Sequence, residues 1–212
     1  MKTYPVVRTQ DTIDINGRGD HPAWQSATLL TDFYDPWEKK APQNTSFKAL
    51  HNDQYLYFLF EVETPNFFSI QSRNVQMEVA YSDRVELFFR QDEQMEPYYC
   101  LEMDYLGRLL ANSAVPYRQM DYEWSWPTGF QFIAYTEENF YAVEGKLSKD
   151  SLRQLKLLQN DRIQTGIFQA EYFKRSAEAS EMSTWWYAWV QPNTQAPDFH
   201  VPSAFGVLEL QD

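Results

Sequence analysis

Only one cysteine, Cys100, stands in 212 residues. No intrachain disulfide can form, so the fold must rest on its core rather than on staples. Glycine is scarce at 7, and no stretch is repetitive or rich in Gly and Ser. That argues against a flexible linker, a low-complexity tail and a glycine loop that would cradle phosphate. Basic residues are also in deficit. There are 18 Lys and Arg against 30 Asp and Glu, a formal net charge of −12. A surface of that sign repels phosphate backbones and anionic lipid, so nucleic acid and membranes are poor partners. Neutral sugars and cations are compatible ones.

Long apolar runs are missing too. The most apolar short run, Tyr55 to Phe60, is far below the ~20 residues of a membrane-spanning helix. The first residues, MKTYPVVRTQDTID, lack the apolar run of a signal peptide. With the single cysteine, this gives the expectation of a cytoplasmic protein for the chain as it stands, and a secreted one if a leader has been removed. No Ser–His–Asp pattern, metal-ligand spacing or calcium-loop spacing stands out. A haem ligand set is not apparent either: His21, His51 and His200 fall in turns or loops without a paired methionine.

What is abundant is aromatic surface, 17% of the chain. Its densest stretch is Trp185 to Gly206, WWYAWVQPNTQAPDFHVPSAFG, where Pro192 and Pro197 divide a strand, a loop and a return. Such rings either fill a core or form a platform for a flat apolar face, such as the C–H face of a pyranose. The length fits one core-bearing unit spanning 1–212.

Period-two alternation recurs along the chain. In YLYFLFEVE, Leu56, Phe58, Phe60 and Val62 share one face, and Pro65 ends the pairing. DRVELFFR and YYCLEMD form a hairpin whose polar face carries Arg84, Glu86 and Glu102. Three charges in the middle of paired strands are costly unless solvated or paired. They mark either a concave polar face or a salt-bridged structural row. Phe130–Tyr135 and Phe140–Leu147 read as a second hairpin, and Ile163 to Arg175 as a long strand or a strand pair. Asn66 to Ser82 is a long irregular segment. Near the start, Asn16-Gly17 is a turn signal, Asp20 is a candidate cap, and Trp24 would tuck under the sheet; a turn accounts for the Arg-Gly-Asp triplet at 18–20. Ser148 caps a helix near 148–158, with Leu152, Leu155 and Leu158 at helical spacing. Many short strands, regular turns and one short helix predict an all-β, antiparallel, jelly-roll-like β-sandwich.

The order of these pieces resembles the family-nine carbohydrate-binding modules and related β-sandwich domains. The matching segments are IDINGRGDHPAW, FKALHNDQYLYFLFEVETP, SDRVELFF, YYCLEMDYLG, YAVEGKL and FHVPSAFGVLEL, which together span nearly the whole chain. The resemblance implies a shallow cleft in which two aromatics clamp a sugar beside a glutamate, an arginine and amides. The glutamate maps onto Glu86. One aromatic maps onto Ala80 or its neighbour Tyr81, the other onto Phe199. The family's strand arginine falls on Glu102, a reversal of charge, and Arg84 shares a face with Glu86 and is placed to substitute. Trp189 and His200 complete the expected set. Some members hold structural calcium, which makes calcium a candidate ligand; no other cofactor is implied.

The expected function is therefore non-catalytic binding of an oligo- or polysaccharide. Two alternatives remain at this level. One is a protein-interaction module that has lost its sugar, with Trp124 and Trp126 as an exposed patch. The other is a glycosidase using Glu86 and Glu102 as its carboxylate pair.

Overall fold

The residues that alternate along the strands meet between two sheets. The computed structural model describes residues 1–39, 44–173 and 182–212. Within them the strands are β1 (Thr3–Arg8), β2 (Thr45–His51), β3 (Tyr55–Glu63), β4 (Arg84–Arg90), β5 (Tyr98–Asp104), β6 (Leu109–Val115) and β7 (Gln119–Asp121). They continue as β8 (Phe130–Glu137), β9 (Phe140–Ser148), β10 (Leu158–Gln159), β11 (Arg162–Phe173), β12 (Ser183–Ala188) and β13 (Gly206–Leu210). Two short helices, α1 (Val75–Ala80) and α2 (Lys149–Gln154), lie between them.

The larger sheet runs β7-β6-β5-β4-β11-β13-β1, with β10 and β12 also paired to β11. The smaller one runs β1-β2-β3-β9-β8. Strand β1 belongs to both. Thr3 to Val6 pair in parallel with Val207 to Leu210, and Val7 and Arg8 then pair in parallel with Leu50 and His51. The expected sandwich is thus mostly antiparallel, with two parallel pairings that alternation alone cannot reveal.

Three apolar layers follow from this arrangement. The main one lies between the sheets and includes Phe47, Phe58, Phe60, Leu87, Phe89, Leu101 and Ile167. A second layer covers the outer side of the small sheet, where Ile13 and Trp24 pack on Tyr57 and Leu59. A third covers the outer side of the large sheet, where Phe199, Ala204 and Phe205 pack on Phe88, Tyr98 and Phe168. Every residue of β4 and β5 is buried for this reason.

The N-terminal cover is fixed by one carboxylate. Glu144, in the middle of β9, accepts from the backbone N–H groups of Asn16 and Gly17 at 2.8 Å each and from Trp24 Nε1 at 2.9 Å. The Arg-Gly-Asp triplet is part of this turn, with Arg18 lying 4.4 Å over the Tyr135 ring. The cap of the following 3-10 turn is His21, whose Nδ1 accepts from Ala23 N, and not Asp20, which instead accepts from Asn16 Nδ2.

Ser148 does cap a helix, accepting from Ser151 N, but α2 ends at Gln154 and not near Leu158. Lys156 takes φ 56°. Its N–H reaches Arg153 O, and Leu157 N–H reaches Leu152 O. This paired C-terminal closure satisfies the last carbonyls and turns the chain away. Leu158 then pairs with Ile163 in a strand. The segment Asn66 to Ser82 contains α1 and is anchored by Asp83, whose carboxylate accepts from Phe68 N and Tyr172 N at 2.8 and 2.6 Å. The Ile163 reading resolves into one long strand, β11; its expected last residues, Lys174 and Arg175, lie outside the described residues. Trp124 and Trp126 form no exposed patch. Trp126 is 9% exposed, and both pack against Tyr99 at the end of the main core.

Candidate functional site

The third apolar layer is incomplete, and a cleft opens where its cover stops. The register of β4 and β5 places Glu86 directly opposite Glu102. Alternation turns Arg84, Glu86 and Phe88 outward together with Cys100 and Glu102, away from the main core. Strand β11 adds Phe168 opposite Glu86, and β12 adds Trp186 one strand further. The loop after β12 comes back over this face and brings Pro197, Asp198, Phe199 and His200 to the rim. Trp37 and Arg118 close the remaining sides. The cavity is small, about 130 Å³.

Two close approaches seat this loop. Gly166 lets the Phe168 ring fold back, since a Cβ there would lie 2.3 Å from Phe168 Cζ. The freed ring stacks on Phe199 at 4.0 Å and 8°. Further on, Arg90 donates to Pro202 O at 3.1 Å and covers the Phe205 ring at 4.8 Å. The P-S-A-F-G return is thereby clamped to β4.

At the floor, one guanidinium serves two carboxylates. Arg84 Nε donates to Glu102 Oε2 at 2.8 Å, and Arg84 Nη2 stands 2.9 Å from Glu86 Oε1. Arg84 Nη1 donates to the carbonyl oxygens of Ala80 and Ser82, and the guanidinium faces the Trp186 ring at 5.4 Å. Burial works against the Arg84 charge, but Glu86 and Glu102 outweigh it and raise its pKa. Burial drives Glu86 up to about 8; Arg84 opposes that rise and Glu102 adds to it. Burial also raises Glu102, against the pull of Arg84. The Glu86 contact is a close ion pair, and Glu86 Oε1 is buried against that guanidinium.

At the rim, Asp198 is held by Arg118 Nη2 at 2.8 Å, by Tyr117 OH at 2.9 Å and by His200 N at 2.9 Å. Burial opposes its charge, and these donors more than offset that, so its carboxyl stays below the usual range. His200 Nδ1 lies 3.0 Å from Tyr98 OH. Burial, reinforced by Arg118, lowers the imidazole to about 4, so it is neutral near pH 7.

Five expected site residues thus converge: Arg84, Glu86, Glu102, Phe199 and His200. The row of charges is both salt-bridged and part of a concave face, the two readings the sequence left open. Two expected residues do not join them. Trp189 shares the parity of Tyr187 rather than Trp186, so it faces the main core, 2% exposed. Tyr81 is 48% exposed and meets Tyr172 edge-on, outside the cleft lining. Phe199 is only 5% exposed, one face being taken by Phe168. Trp186, Trp37, Arg118 and Asp198 were not singled out. Alternation in WWYAWV signals Trp186, because it places that ring opposite Tyr187 and Trp189; nothing local signals Trp37 or Arg118. Among the described residues, no group of three or more His, Cys, Asp or Glu side chains is arranged to hold a metal ion.

Comparison with known proteins agrees with this architecture. A carbohydrate binding module family 9 from Caldicellulosiruptor kristjanssonii, solved with cellotriose, superposes with a TM-score of 0.65 at 17% identity, covering 99% of this chain and 94% of that one. A module of that family from the same organism, solved with glucose, gives 0.58 at 18% identity over 99% and 96%. A putative carbohydrate-binding protein from Bacteroides uniformis gives 0.71 at 15% identity over 99% of both chains. No curated protein matches the chain. The family model described as "Carbohydrate family 9 binding domain-like" matches residues 15–212, and the chain belongs to that family.

Proposed function

We propose that the cleft binds an oligo- or polysaccharide without catalysis, through aromatic faces and hydrogen bonds to hydroxyl groups. The observation that carries this reading is a single cleft lined by the rings of Trp186 and Phe199 beside the Arg84, Glu86 and Glu102 side chains. Trp186 supplies a partly exposed ring at the same place. Family membership supports the reading, as do the neighbours solved with cellotriose and glucose. A glycosidase pair is disfavoured because Glu86 and Glu102 are tied to the same guanidinium, which leaves no independent nucleophile and acid.

A glycan panel read by thermal shift and calorimetry tests this, with and without calcium. The expected result is binding by the wild-type protein and a loss of about tenfold or more in Trp186→Ala, with the unfolding midpoint little changed. Phe199→Ala loses stability as well as binding, because its ring is part of the stacked cover. No binding to any mono-, oligo- or polysaccharide would remove the proposal.

A further inference from the structure

A cavity of about 130 Å³ lies below the roughly 300–1,000 Å³ of sites that enclose a whole small ligand. An oligosaccharide would seat one unit there and lay the next on the surface outside. Three sides of the cleft are taken. The return loop sets His200 over Phe88 and Phe199 over Phe168. At the opposite end Ala80 O accepts from Arg84 Nη1 and from Tyr172 OH, which pins the end of α1 over the floor. Trp186 stands on the β12 side, with Trp37 against Phe199.

The fourth side runs across β5, β6 and β7. Glu102 pairs with Leu110, and Cys100 with Asn112. The next register pairs Ala114 with Met120 and Ser113 with Asp121, so Tyr122 comes opposite Asn112. Met120 packs in the outer apolar layer, and Tyr122 has the same parity. Tyr122 therefore lies on the cleft face of the large sheet, two strand spacings or about 10 Å from β5. Tyr117 and Arg118 are at the other end of β7, where both are drawn to Asp198. The Tyr122 hydroxyl reflects its place: burial raises its pKa most, the Glu102 charge adds to the rise, and Arg118 opposes it. Yet Tyr122 remains 46% exposed.

From this placement we infer that Tyr122 forms a second sugar subsite, where the unit next to the one in the cleft lays its C–H face on the phenol ring. The inference rests on the carbohydrate reading above and adds the path of the chain, from Trp186 past Glu102 to β7. A half-exposed tyrosine suits this role, because it offers an apolar ring face with a polar tip.

The test is calorimetry on the wild-type protein, Tyr122→Ala and Tyr122→Phe, with melting temperatures to check folding. The probes are glucose and cellobiose, and xylose with its β-1,4-linked dimer. In the wild-type protein a dimer is expected to bind about tenfold more tightly than its monomer. Tyr122→Ala removes that gain and leaves the monomer affinity unchanged, whereas Tyr122→Phe keeps the gain. The inference fails, while the carbohydrate reading stands, if wild type binds monomer and dimer equally. It fails in the same way if Tyr122→Ala keeps the gain or weakens both probes alike, or if Tyr122→Phe loses it. If neither series binds, the inference fails as well, and the carbohydrate reading falls with it only when the wider glycan panel is also silent.

Discussion

Glu144 shows how much can depend on one side chain. It sits at the centre of an apolar strand and gathers three donors from a segment more than a hundred residues earlier. Replacing it with alanine leaves Gly17 N–H and Trp24 Nε1 without acceptors inside the structure. Each orphaned donor costs about 1–3 kcal/mol, so Glu144→Ala is expected to lose about 4 kcal/mol in urea unfolding. A loss below about 1 kcal/mol, the size of an ordinary surface change, would show that the cover is held by its rings alone. Only part of this was legible in advance. IDINGRGDHPAW reads as a turn with a buried tryptophan, and YAVEGKL reads as a strand. The link between them is non-local, and no spacing rule reports it. The same limit applies at the cleft. Glu86 and Glu102 share a face because each strand alternates, which is local; Arg118 and Trp37 arrive from distant loops.

At the scale of elements, α2 is the clearest case of a correct start and a misplaced end. The Ser148 cap is encoded locally, and so is the spacing of Leu152, Leu155 and Leu158. The ending depends on Lys156 adopting φ 56°, a conformation that lysine does not advertise. Glycine is the residue that takes this position without strain. Lys156 is exposed and its backbone closes the helix, so Lys156→Gly is expected to stabilise by about 0.5–1 kcal/mol. Greater freedom of glycine in the unfolded chain works in the opposite direction. A lower denaturation midpoint in the variant would show that this entropy term dominates. The strands were more legible than the helix because period two survives burial on both faces: β4 and β5 still divide into Leu87 and Phe89 against Arg84 and Glu86.

For the whole molecule, the buried titratable groups fix a pH dependence. Glu86 is raised to about 8 and Asp83 to about 7, both first of all by burial. Between their unfolded values and these values the folded state holds more protons than the unfolded one. Stability therefore falls as pH rises through that window. His200 acts in the opposite sense: lowered to about 4, it adds stability that is complete above its unfolded value and lost as pH falls. Through the upper part of that window the two raised carboxyls set the sign of the change, and the net charge of −12 adds self-repulsion. The melting temperature is expected to drop from about pH 6 to pH 8, and Glu86→Gln is expected to flatten the drop. A flat or rising profile in the wild-type protein would contradict the burial assigned to these groups.

The double membership of β1 has a kinetic consequence. Its pairing with β2 joins consecutive strands, but Thr3 also pairs with Val207, across nearly the whole sequence. Hairpins such as β8–β9 close short loops and form early, whereas a contact of such separation must wait until the intervening chain is ordered. Strand β1 is then the last seam to close. Weakening it, for instance at Val6, would speed unfolding while leaving the folding rate almost unchanged.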